Sequence, residues 1–221
     1  MIDNVPSVYN QPSVYNQEGG GGGSPDFQPI PEDVSKLYKR VTFIRSDAGE
    51  IPYIGVSIPL EWNDKIEETV FYETPFNPSG QQYLWLDNSW NFFTKFFSGP
   101  IIGGSWNGIN TLDYSASFFT GGLINLKSEK SKFNINGLDK ANSVGNVVSS
   151  TRIRYLMYIL NSGNNQVVSF YNFKIFGDEG KLKYSVYPVL RLADSKTGVY
   201  CKEQGTFYPA TNYSTWGPYI E

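Results

Sequence analysis

Three groups of side chains carry chemistry worth weighing in this sequence. They are the acids Glu67, Glu68 and Glu73, the tryptophans Trp85, Trp90 and Trp106 with their polar neighbours, and the single thiol of Cys201. A retaining glycosidase needs two carboxyl groups about 5–5.5 Å apart, which alternate residues of one strand can supply. Glu67 and Glu68 would point to opposite faces of a strand and Glu68 and Glu73 have opposite parity, so no such pair is expected. The chain has no histidine, which removes Ser-His-Asp and Cys-His nucleophilic centres, imidazole proton shuttles and His-ligated zinc. One cysteine allows neither an intramolecular disulfide nor a multi-Cys metal cluster, and Cys201 reads as a packed thiol. No catalytic residue, cofactor or metal is expected.

Carbohydrate binding has better material. Trp85, Trp90 and Trp106 lie among Asp87, Asn88, Asn107, Asn110 and Asp113 in glycine-rich surroundings. Sugar rings stack on aromatic faces while polar groups fix their hydroxyls, so Trp85, Trp90, Trp106, Asp87 and Asp113 form a candidate glycan-binding set. Against it, Trp and Phe at alternating positions from Tyr83 to Phe97 are more often core or subunit interface than a sugar platform. Asp87 and Asp113 alone fall far short of the roughly six to eight oxygens that Ca²⁺ takes.

The elements that must position these residues are strands. Of 221 residues 16 are Tyr and 15 Phe, against two Met, a composition that suits pleated, half-buried surfaces better than helices. Residues 1–30 hold Asp3, Glu18 and Asp26 with no Lys or Arg, which leaves the remainder formally neutral. No broad positive field is present to draw the chain onto phosphate backbones or anionic membranes, so neither nucleic acid nor membrane is an expected partner. No basic-then-apolar leader opens the sequence and no run approaches the ~18 apolar residues of a membrane span.

The first residues differ in kind from the rest. Pro6-Ser7-Val8-Tyr9-Asn10-Gln11 is repeated without change as Pro12-Ser13-Val14-Tyr15-Asn16-Gln17. In an extended strand or in polyproline II a six-residue offset presents both units alike. Val8, Tyr9, Val14 and Tyr15 are therefore candidate partner-binding residues of an arm, 1–18, that has too few apolar groups for a core of its own. Five glycines follow, Gly19 to Gly23, and then Pro25, Pro29 and Pro31. Residues 19–37 accordingly read as a linker, flexible and then stiffened, with a short helix from Glu32 to Tyr38. Thirty extended residues span on the order of 100 Å, enough to tether a domain clear of its anchor.

From residue 38 the pattern has period two: Val41 and Phe43 alternate with Arg40 and Thr42, and Ile153, Tyr155 and Met157 with Arg152 and Arg154. Further strands are expected at 66–72, 83–87, 91–97, 111–120, 123–127, 166–176 and 183–192. They are punctuated by Asn77-Pro78-Ser79-Gly80, Gly103-Gly104, Gly121-Gly122, Asn136-Gly137 and Ser162-Gly163. Asn161 to Asn165 reads as a hairpin loop joining neighbouring strands. Residues 38–221 thus suit one β-sandwich.

The C-terminal part carries a resemblance. Phe173 to Leu182, then Pro188-Val189-Leu190-Arg191, Asp194, Gly198-Val199-Tyr200 and Phe207-Tyr208, resemble the concanavalin A-like, laminin G-like jelly roll of many tailed-bacteriophage virion proteins. Tyr38 to Ile44 and Tyr53-Ile54-Gly55 are similar to its opening strands. Cys201 stands where that family usually has Asp. The resemblance implies an all-β, jelly-roll β-sandwich preceded by an extended N-terminal arm. Within its turn motif, Pro188 is expected to break a strand and Gly198 to permit a turn. Tyr200, Phe207 and Tyr208 pack the returning chain, and Arg191 and Asp194 form a surface ion pair or hold the turn's backbone. The Glu-x-Asp-x-x-Glu run of the glucanases with this fold is absent.

The function expected on these grounds is that of a non-enzymatic virion structural protein assembled in the host bacterial cytoplasm, a head fibre, decoration protein or other minor capsid-attached part. Its arm docks on other virion proteins of capsid, collar or tail. The aromatic run Phe92-Phe93 and Phe96-Phe97 calls for a second interface, hence a homo-oligomer, with a trimer favoured. The alternative is a tail or collar appendage that binds host-surface glycans.

Overall fold

Alternation in the sequence decides which side chains turn inward. In the strand Tyr53–Glu61, Ile54, Val56, Ile58 and Leu60 are buried while the residues between them are not. The same logic runs through the computed structural model of the chain, which describes residues 31–47, 50–73, 81–96, 101–106, 112–115, 121–145, 150–160 and 167–220. The arm, with Val8, Tyr9, Val14 and Tyr15, lies outside the described residues. One helical turn, α1 (Glu32–Ser35), is shorter than the expected Glu32–Tyr38 because Tyr38 already pairs as a strand.

The strands are β1 (Tyr38–Arg40), β2 (Ile44–Ser46), β3 (Tyr53–Glu61), β4 (Lys65–Tyr72), β5 (Gln81–Asp87), β6 (Phe92–Phe96), β7 (Ile101–Trp106), β8 (Leu112–Ser115) and β9 (Gly122–Ser128). They continue as β10 (Lys132–Ile135), β11 (Leu138–Ala141), β12 (Ser143–Val144), β13 (Ser150–Leu160), β14 (Val168–Phe176), β15 (Leu182–Arg191), β16 (Lys196–Cys201), β17 (Thr206–Thr211) and β18 (Tyr213–Trp216). The described residues are thus almost wholly β, and the pairing is antiparallel except between β12 and β7.

Two layers result. Sheet I runs β11-β10-β9-β4-β14-β15-β16-β17, with β2 beside β14, β18 beside β2 and β1 beside the end of β15. Sheet II runs β3-β13-β5-β6-β7-β8. At one edge the end of β17 leaves β16 and pairs Ala210 with Ile54 of β3. At the other edge the chain passes from β11 in sheet I to β12, which pairs with β7 in sheet II. The sandwich is therefore close to a closed barrel. Its interior is filled by Ile44, Ile58, Leu60, Val70, Trp85, Phe96, Trp106, Phe133, Phe170 and Phe173, all at most 1% exposed.

Several sequence expectations change here. β13 and β14 are not hairpin neighbours: β13 pairs with β3 and β5, β14 with β4, β15 and β2, so they are central strands of opposite sheets. Gly103-Gly104 is the middle of β7 and no turn; a Cβ on Gly104 would sit 2.9 Å from the Phe133 ring, so glycine lets the two sheets close at this edge.

Pro188 does not break a strand but lies inside β15, opposite Val199. Its carbonyl accepts from Val41 N–H, so its nitrogen faces the seam where β14 gives way to β1, and no ladder donor toward β16 is lost. Gly198 is mid-strand in β16, where a Cβ would lie 2.5 Å from the Phe207 ring and the Tyr208 carbonyl oxygen. The turn itself is Leu192 to Ser195, ending on Ser195 in the left-handed region at φ 55. Asn136-Gly137 is a two-residue hairpin turn with both φ positive, 49 and 89. The opening run from Tyr38 to Ile44 is broken: β1 ends at Arg40 and β2 begins at Ile44, and the two pair with different strands.

Candidate functional site

Each sheet has an inner face in the shared core and an outer face, and aromatic residues cluster on both outer faces. On sheet I the outer cluster is Tyr187, Val189 and Tyr200, all buried. It is covered by the chain's own N-terminal strap: Val34 of α1 packs on it, and the Tyr38 ring stacks at 5.1 Å on Phe207 and lies 5.6 Å from Tyr200. The Arg40 guanidinium sits 4.5 Å over the Tyr187 ring, and burial pushes the Tyr187 phenol well above its ordinary range.

The turn motif braces this strap. Arg191 donates to both oxygens of Asp194, at 2.9 and 2.5 Å, and Lys196 N–H donates to the same carboxylate at 3.2 Å. These bonds, Arg191 first, hold the Asp194 carboxyl down at about 2. The Arg191 guanidinium also lies 4.9 Å over Phe207.

On sheet II the outer cluster is Tyr83, Leu86 and Phe93, with Tyr155 and Tyr158 packed against it. A local irregularity assembles it. Residues three apart on a regular strand face opposite ways, but Met157 has φ 53 and the register of β13 shifts between Ile153 and Tyr155. Tyr155 and Tyr158 therefore share the outer face, stacked at 4.7 Å and 18°, while Met157 is buried with Ile153. The strict alternation of Ile153, Tyr155 and Met157 expected from sequence is thereby corrected. Tyr53 of β3 meets both tyrosines edge-on at 5.9 and 6.4 Å. Trp90 meets Tyr83 and Tyr158 at 5.8 and 6.0 Å.

Lys95 closes the other side. Its ammonium lies 4.9 and 4.8 Å over the Tyr83 and Phe93 rings and donates to Gln81 Oε1 at 2.8 Å and to the Tyr83 hydroxyl at 3.2 Å. Burial, and then Tyr158, push the Tyr83 phenol up to about 12. Trp90 is 42% exposed and adopts φ 62, unusual for a bulky residue. Asp87 fixes that turn: its carboxylate accepts from Asn91 N–H at 3.0 Å, Phe92 N–H at 3.1 Å, Thr151 Oγ1 at 2.7 Å and also Ser89 Oγ.

The glycan-binding set expected from sequence does not come together. Trp85 and Trp106 are fully buried, 5.7 Å apart in the core, and Trp106 donates to the Trp62 carbonyl at 2.9 Å. Neither can stack on a sugar, because the inner face of sheet II takes both. Asp87 is fully buried as the clamp of the Trp90 turn. Asp113 of β8 pairs with Gly103 of β7. Of the set, Trp90 alone is an exposed ring. Sequence reading passed over Tyr53, Tyr83, Tyr155, Tyr158, Lys95 and Arg154; the available signal was a lysine inside an aromatic run.

The acids of β4 diverge. Glu67 pairs with Lys127 at the surface, Glu73 pairs with Arg45, and Glu68 is buried in the core. Burial raises the Glu68 carboxyl well above the carboxylate range, and neither oxygen meets a hydrogen-bond donor. Cys201 is buried, its thiol pushed up to about 11 by burial. Among the described residues no group of three His, Cys, Asp or Glu side chains converges, and no helix is long and apolar enough to cross a membrane.

The comparisons with known proteins give no match, whether to protein families, to curated proteins or to solved structures.

Proposed function

We propose that this chain is a non-enzymatic structural protein of a tailed-bacteriophage particle, a head fibre, decoration protein or other capsid-attached part. In this reading residues 1–18 dock on another virion protein, 19–37 tether, and 38–221 form a concanavalin A-like, laminin G-like jelly roll that is displayed. Several copies act together, with a trimer favoured.

One observation carries the reading. The strap that continues the N-terminal arm lies on the outer face of sheet I, while the ring cluster with the exposed Trp90 lies on the outer face of sheet II. A domain tethered from one face and carrying an aromatic surface on the other suits a part that is anchored behind and presents forward. The same aromatic surface favours the second reading, a tail or collar appendage that binds host-surface glycans.

The test is incorporation. Particles assembled with the intact chain are expected to retain it through density-gradient purification, and particles assembled with residues 1–18 deleted to lack it. Retention of the truncated chain, by mass spectrometry of purified particles, would overturn docking through the arm.

A further inference from the structure

The outer face of sheet II restricts what can sit on it by charge, by size and by the strain that displays it. Arg152 and Arg154 of β13 are both exposed: Arg152 reaches the Ser57 carbonyl and hydroxyl, and the Arg154 guanidinium lies 5.1 Å over the Tyr155 ring. Neither has a carboxylate partner among the described residues, and Glu61, at the end of neighbouring β3, is held by Lys183 at 3.0 Å. A second copy of this chain laid on the face about a two-fold axis would bring these cations against their own kind. The face is therefore cationic, and an anionic occupant would complement it.

It is also small. Trp90 is 42% exposed while Tyr53, Tyr155 and Tyr158 are half-buried, so the open ring area is on the order of a few hundred Å², below the ~800 Å² per partner of a stable protein interface. Ring-sized ligands with apolar faces and polar edges fit such an area. Independently, the left-handed backbone of Trp90 is imposed by the four hydrogen bonds that Asp87 accepts around the turn. Strain held in place at a displayed ring points to a function for that ring.

We propose that this face binds an acidic saccharide, a pyranose ring stacking on the exposed Trp90 beside the rim of Tyr158 and its carboxylate or sulfate group meeting Arg154. The inference rests on the reading of sheet II as the displayed face, and it names the ligand class. Trp90, Tyr158 and Arg154 are binding residues, and Asp87 is a positioning residue that acts through Trp90.

The experiment uses the full chain on an array of oligosaccharides bearing uronate, sialate or sulfate, each beside its neutral counterpart. Retention on acidic spots is expected, weakened about tenfold or more by Trp90→Ala and by Tyr158→Ala and restored by Tyr158→Phe, which keeps the ring. Arg154→Gln is expected to bring acidic spots down to the level of neutral ones. Melting curves monitor folding, and if Tyr158→Ala does not fold, Trp90→Ala and Arg154→Gln still decide. No retention of any acidic saccharide by the intact chain would overturn the proposal. Retention unchanged by Trp90→Ala and Arg154→Gln would also overturn it, as would an aromatic face that instead captures a second copy, seen as self-association abolished by Trp90→Ala. The same variants are expected to enter particles at the level of the intact chain, so a failed array and a failed docking arm give different results.

Discussion

The two outer faces of this sandwich are built from the same residue types and meet different fates. On sheet I, Tyr187, Val189 and Tyr200 are sealed by Val34 and Tyr38. On sheet II, Tyr83, Leu86 and Phe93 are flanked by Tyr155 and Tyr158, with Trp90 left in water. What separates them is connectivity: the strap hydrogen-bonds to β15, with Leu192 N–H donating to the Leu37 carbonyl at 2.9 Å, and so crosses only sheet I. An aromatic cluster is thus a core on one face and a candidate binding surface on the other, according to whether the chain has a segment to spare for it.

The contrast is broken most strongly by disturbing the sealed face. Gly198→Ala drives a methyl group into the Phe207 ring and the backbone oxygen of Tyr208, and a loss of about 2–3 kcal/mol in urea-unfolding stability is expected. Tyr38→Ala removes the ring that stacks on Phe207 and Tyr200. It is expected to cost about 2 kcal/mol in the same assay and to raise binding of an apolar dye as the sheet I cluster opens. A Tyr38→Ala protein with unchanged stability would mean that the strap seals nothing.

Glu68→Gln probes the core that both faces share. The folded carboxyl is raised above its unfolded value by burial, with Tyr72 and Tyr213 the ionisable groups coupled to it. The folded state therefore holds a proton that the unfolded state releases, and this group's contribution to stability falls as pH rises above roughly 4. Glu68→Gln is expected to be more stable than the intact chain at pH 7, the gain shrinking to nothing below about pH 4. Melting temperatures across that range check the sign, and a gain independent of pH would indicate a packing effect instead.

The smallest effect is expected on the open face. Trp90→Ala should change stability less than Tyr38→Ala does, by about 1 kcal/mol or less, since the ring is 42% exposed and meets the cluster edge-on at Tyr83 and Tyr158. Equal costs for Tyr38→Ala and Trp90→Ala would erase the distinction between the faces. Cys201 sharpens it from beneath: buried under sheet I with its thiol at about 11, it is expected to resist a thiol reagent at pH 8 in the intact chain and to react faster in Tyr38→Ala.

Much of the architecture was legible in the residues. Period-two patterning from residue 38 marked β4, β5, β6, β9, β14 and β15 to within about two residues, because burial of one face imposes that period directly. Asn136-Gly137 marked its turn, because a two-residue hairpin needs φ > 0 at both positions. Absence of histidine and a lone cysteine bounded the chemistry before any fold was known. Tertiary structure alone decided the rest, since each remaining question is about which surface lies next to which. It put Trp85 and Trp106 in the core and Trp90 in water, though all three sit among similar neighbours in sequence. It sent β13 and β14 to opposite sheets, made Gly104 and Gly198 sites of close approach, and turned Tyr155 and Tyr158 to one face through a kink at Met157 that no period foretells. Residue type fixes how much side chain wants burial; only the packed chain fixes which of those side chains finds cover.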